Sequence, residues 1–176
     1  MGLSEYHENF GPEIALNTPV AGANDTVVNT TNWLGTTFTL PTTSPFYTIT
    51  KFEVLNGTVV NGSFFCAAVQ VYDNPATNPP VITVATSEGN AQSGASAVQQ
   101  VDALASLLIR GGRHIHAYIS SNSASGRYGS TTVASANYRK AITYVATGAA
   151  IGVVGGGSWV AATETAYLKV YGRAVG

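Results

Sequence analysis

From Trp33 onward, apolar and polar positions alternate with a period of two. Leu34, Thr36, Phe38 and Leu40 fall on one side and Trp33, Gly35, Thr37 and Thr39 on the other, before Pro41 and Pro45 bracket a turn. The same period predicts strands over Phe46–Leu55, Ser63–Asp73, Val81–Thr86, Arg113–Ser120, Tyr128–Val133, Tyr138–Ala146 and Thr165–Val175. Phe65, Ala67, Val69 and Val71 oppose Phe64, Cys66, Ala68, Gln70 and Tyr72, so neither face of that strand is clearly polar. A strand of this kind belongs in the middle of a sheet or beneath a partner. Asn56-Gly57 and Asn61-Gly62 offer the positive φ that tight hairpin turns require. Val98, Val101, Leu104, Leu107 and Leu108 recur at helical spacing ahead of Gly111-Gly112, which makes this the one stretch where a short helix is open.

Eight or nine strands separated by turn signals, without alternating long helices, predict an all-β fold: a two-sheet antiparallel β-sandwich of jelly-roll type, with at most one short helix. Residues 1–32 lack sustained periodicity and carry Pro12, Pro19 and Gly22-Ala23-Asn24-Asp25, so they read as an extended N-terminal arm ahead of one domain over residues 33–176. Tyr6, Phe10, Ile14 and Leu16 would be wasted on a solvated tail. Either the arm folds back on its own domain or it grips a neighbouring subunit. The second reading implies that removing residues 1–30 leaves the sandwich folded and weakens assembly.

Charge changes the picture next. Charged residues make up 10% of the 176-residue chain, with eight Lys and Arg against nine Asp and Glu; about 25% is usual for soluble domains. A net charge of −1 without basic runs excludes the phosphate-neutralising stripe of a nucleic-acid binder. It also weakens self-repulsion, so a partner or copies of the chain are expected. The acidic start lacks the apolar stretch of a secretory signal, and no segment reaches membrane-spanning length, so no membrane role is expected.

Candidate chemistry is sparse. His114 and His116 share one face of a strand beside Tyr118 and form a weak metal pair, for no carboxylate follows until Glu164. That strand side is otherwise a solvated or interface-facing one. Glu53, Asp73, Glu88, Asp102 and Glu164 are the carboxylates beyond the arm, and nothing in their spacing pairs them for hydrolysis. Gly155-Gly156-Gly157-Ser158 lacks the closing glycine of a nucleophile elbow, and Cys66 reads as a buried inert thiol. No enzyme activity and no cofactor are expected. Aromatic faces could stack on sugars, with Tyr118, Tyr128, Tyr138, Tyr144, Tyr167, Tyr171 and Trp159 as candidates. Subunit contact is the competing use, and Tyr118, Tyr167 and Tyr171 join Tyr6, Phe10, Ile14 and Leu16 as candidate interface residues.

The short arm, the Thr-, Gly-, Ala- and Ser-rich strands with little charge, and Phe64–Asp73 ending Val69-Gln70-Val71-Tyr72-Asp73 before a proline-containing loop resemble virion proteins of tailed bacteriophages. The similarity is to capsid decoration or cement proteins and to the β-sandwich domains of tail appendages. It implies a virion location after synthesis in the host cytoplasm, the major capsid protein or another virion protein as partner, and a homo-oligomer, a trimer first. The alternative it leaves open is a glycan-binding module of a tail fibre or receptor-binding appendage.

Overall fold

The computed structural model of the chain describes residues 10–19, 24–28, 32–58, 64–72, 82–87, 89–121, 126–141 and 159–176. These residues hold thirteen strands: β1 (Phe10–Ala15), β2 (Asn24–Val28), β3 (Asn32–Thr39), β4 (Phe46–Leu55), β5 (Phe64–Tyr72), β6 (Ile82–Ser87), β7 (Asn90–Ala91), β8 (Val98–Ser106), β9 (Ile109–Arg110), β10 (His114–Ser121), β11 (Gly126–Ala141), β12 (Trp159–Ala166) and β13 (Leu168–Val175). All their pairings are antiparallel. The fold is an all-β sandwich.

The first sheet runs β1-β13-β4-β8, with β9 also on β4. The second runs β6-β5-β10-β3-β11-β12, with β2 on β11 and β7 on β5. Two strands tie the sheets together. β8 pairs with β4 over Val98–Asp102 and with β6 over Ala103–Ser106. β12 lies on β11, and after the single residue Tyr167 the chain becomes β13 on β4. The core lies between the inner faces, with Tyr47, Phe52, Val54, Leu168 and Val170 from the first sheet meeting Leu34, Phe65, Val69, Ile115 and Ile119 from the second. Each such side chain, fully withdrawn from water, contributes about 1.5–3 kcal/mol.

Within the described residues, the lead-in folds back on its own domain. β1 pairs with β13 and β2 with β11, while Leu16 and Val28 are buried in the core. Asn17 fastens the end of this segment, its Nδ2 donating to the Leu168 carbonyl and its Oδ1 accepting from Val170 N. Deleting residues 1–30 therefore removes two strands and two core residues, so truncation is not a clean test of assembly.

The helical spacing at Val98–Leu108 is overridden. β4 takes this segment as its neighbour, pairing Leu55 with Val98 and Lys51 with Asp102. Val101 then points into the core, whereas Val98, Leu104, Leu107 and Leu108 stand in solvent. A helix would have gathered these residues on one buried face, and ladder pairing won over that local pattern. Asn56-Gly57 also departs from its expected role. Asn56 forms a bridge with Tyr128 rather than a hairpin turn, and positive φ among the described residues occurs at Ser96 and Gly112.

The second sheet is buried on both sides at its centre. β10 follows the core face Ile115, Ala117 and Ile119 with an opposite face on which His116, Tyr118 and Ser120 are equally enclosed. Cys66, Ala68 and Gln70 of β5 match them. Gly35 of β3 makes this possible, since a Cβ there would overlap the His116 imidazole and lie 2.6 Å from the Ala117 carbonyl oxygen. His116 and Tyr118 are thus interior residues. The expected solvated or interface-facing strand side fails because the chain itself covers it.

Candidate functional site

Two outward regions carry most of what the described surface offers. The first is the outer face of the first sheet, where register sets polar residues in rows. Lys169, Glu53 and Gln100 form one row, and Tyr171, Lys51 and Asp102 the next. Because Tyr167 spans the step between sheets, its side chain reaches the same face. Glu53 sits at the centre, 8% exposed. Its Oε2 accepts from Gln100 Nε2 at 2.8 Å and from the Tyr171 hydroxyl at 2.9 Å, and its Oε1 accepts from the Tyr167 hydroxyl at 3.2 Å. Burial alone would raise its carboxyl, but these donors and the Lys169 charge outweigh burial and hold it below the ordinary value. Burial first, and then the Glu53 carboxylate, push the Tyr167 hydroxyl up.

Around this centre the charges pair locally. Lys51 Nζ lies 2.7 Å from Glu13 Oε1, and Thr50 donates to Glu13 Oε2 at 2.7 Å. These two bonds hold Glu13 below its ordinary value, and the same contact raises Lys51. The Lys51 and Lys169 ammonium groups each sit 5.0 Å from the centre of the Tyr171 ring. The Tyr171 ring and its hydroxyl are both engaged within the chain. At its centre this face is polar and self-satisfied, because Glu53 and the hydroxyls of Tyr167 and Tyr171 are spent on one another.

The second region is the stretch that changes sheets. Leu104, Leu107 and Leu108 are 60%, 61% and 59% exposed. Beside them Asn90, Asp102, Ala103 and Leu104 line a shallow hollow of ≈ 300 Å³. Across the first sheet, Phe10, Val175 and Phe46 are register neighbours, with Phe10 and Phe46 exposed. Isolated apolar residues on a surface are ordinary, whereas three large exposed ones fall here within five positions of the chain.

The residues singled out from sequence divide accordingly. Phe10 and Ile14 lie on the surface of β1 and are open to contact. Tyr167 and Tyr171 reach the outer face but are tied to Glu53. Leu16, Tyr118 and Tyr128 are buried, which corrects their reading as interface or platform residues. Tyr6 and Tyr144 lie outside the described residues, as do the side chains of Tyr138 and Trp159. His114 is half-exposed with Nδ1 3.1 Å from the Thr39 hydroxyl, whereas His116 is buried and its ring stacks on Tyr118 with centroids 5.8 Å apart. Among the described residues no three His, Cys, Asp or Glu side chains gather to hold a metal ion. Cys66 is buried, its Sγ donating to the Ser87 carbonyl, and burial pushes its thiol up, away from the reactive thiolate. No described helix is long and apolar enough to cross a membrane.

The leucines were missed as functional candidates because their spacing mimics a helix. The signal available in the sequence was the company they keep. Gln99, Gln100 and Asp102 interleave with Val98, Val101 and Leu104, and strand alternation applied to that run turns Leu104 outward beside the polar residues. Comparison with protein-family models, with curated proteins and with solved structures returns no match for this chain.

Proposed function

We propose that this protein is a structural component of a virion, a capsid decoration or cement protein whose jelly-roll-type sandwich attaches to the capsid surface through protein–protein contacts. The observation that carries the reading is the exposure of Leu104, Leu107 and Leu108 together on a chain with only 10% charged residues. Leaving three leucines more than half exposed forgoes on the order of 1–2 kcal/mol apiece, a deficit that contact with another protein removes. Low net charge lets copies approach without repulsion, and repetition around a lattice lets modest contacts add through avidity. An alternative, sugar binding on the outer face of the first sheet, is weaker because Tyr167, Tyr171 and Glu53 already satisfy one another.

Light scattering on the purified full chain tests the reading. A mass of three times 18.2 kDa is expected. A strict monomer at high protein concentration that also bound sugars on a glycan array would replace the structural role with the tail-fibre module.

A further inference from the structure

We propose that the side-chain oxygens of Asn56 and Gln92 together hold one buried water molecule, at the junction where the end of β4, the start of β11 and the link from β7 to β8 meet. Asn56 is 1% exposed and Gln92 7%. Their nitrogens are in use, Asn56 Nδ2 donating to Gln99 Oε1 at 3.1 Å and Gln92 Nε2 to the Arg127 carbonyl at 2.7 Å. Asn56 Oδ1 and Gln92 Oε1 are sealed from solvent and accept from no protein donor. Native proteins satisfy such buried acceptors with ordered water or an ion.

Two shared acceptors bring the two side chains together. Gly57 N and Gln92 Nε2 both donate to the Arg127 carbonyl, at 2.8 and 2.7 Å. Asn56 Nδ2 and Ser93 N both donate to Gln99 Oε1, each at 3.1 Å. Donors that share one acceptor lie within about 6 Å of each other, so residues 56–57 are laid against residues 92–93 at two points. Turning either amide over gives no relief, because it would aim oxygen at oxygen and strand the nitrogen. Gln99 is fixed as well, since its Nε2 donates to the Ala91 carbonyl at 2.9 Å.

Water fits this pair by count and by charge. It brings two O–H donors to two acceptors, and the side chains of the network, Asn56, Gln92 and Gln99, are neutral, leaving a cation no carboxylate among them to balance it. The link is also bent for the purpose. Ser96 adopts φ 53° and its N donates to the Gly57 carbonyl at 2.7 Å, closing the loop over the junction. Asn56 N donates to the Ala97 carbonyl at 2.9 Å, so the same lock sets where β8 begins its ladder on β4.

A crystal structure of the full chain at a resolution that orders solvent tests the site. The expected result is one water within about 3.2 Å of both oxygens. Magnetic relaxation dispersion of isotope-labelled water provides the second measurement: Gln92→Met should lower the count of long-lived internal waters by one relative to wild type. A protein donor on either oxygen, or an unchanged water count in a folded Gln92→Met variant, would overturn the proposal. So would a wild-type Tm that falls when sodium and potassium are replaced by choline at constant ionic strength, because the occupant would then be a cation.

Discussion

Strands β4 and β10 each occupy the middle of a sheet, yet they spend their outward positions differently. On β4, Tyr47, Phe52 and Val54 face the core while Thr50, Lys51 and Glu53 face outward and bond to residues of β1, β8 and β13. On β10, both faces are withdrawn from water, and even His116 and Ser120 are interior. The two sheets therefore differ in kind. The outer face of the first is a solvent boundary built from polar residues that satisfy one another, whereas the centre of the second is core on both sides. The most exposed large apolar side chains among the described residues lie where β8 passes from one sheet to the other and leaves leucines uncovered.

Substitutions that treat the two strands alike should separate them. The largest difference is expected for tyrosine truncation. Tyr118→Ala empties a fully buried site and should destabilise by about 3–5 kcal/mol, while Tyr171→Ala on the outer face should remain near 1 kcal/mol in urea denaturation. Equal losses would mean that the two faces are not different in kind. A smaller effect, about 1–3 kcal/mol by overpacking, is expected for Gly35→Ala, where the new methyl meets His116 and the Ala117 carbonyl; the thermal midpoint reads it directly. The smallest effect is confined to acid. Glu53 is held below the ordinary glutamate value of 4.5, so its stabilising contribution is complete above about pH 4.5 and is lost as the pH falls through its lowered value. Thermal melts from about pH 5 to about pH 3 should show a shallower acid decline in Glu53→Gln than in wild type. An identical slope would remove Glu53 from the centre of that face.

Much of this architecture was legible in the alternation of residues. β4 appears at the bounds its period predicts, and the doubly apolar run around Cys66 did mark the middle of a sheet. What the alternation could not convey was which face meets what. His116 and Tyr118 are polar enough to suggest a surface, but their burial depends on Gly35 of β3, far away in sequence. Tyr128–Val133 and Tyr138–Ala146 read as two strands because the register shift between Thr132 and Asn137 interrupts their period, although the described chain continues as the single strand β11. The arm looked irregular because Pro12 and the turn residues obscure two short pairings made with distant strands. At β8 the error was one of period, since five apolar residues satisfy a helical template that a strand partner overrules.

The proposed virion role requires the exposed leucines to form a contact surface. Sedimentation velocity of the wild-type chain and of the Leu104→Ser/Leu107→Ser/Leu108→Ser variant at matched concentration tests this most directly, with far-ultraviolet circular dichroism confirming the fold. The expected result is an assembled wild type and a monomeric variant with an unchanged strand spectrum. A variant that sediments as the wild type does would contradict the account.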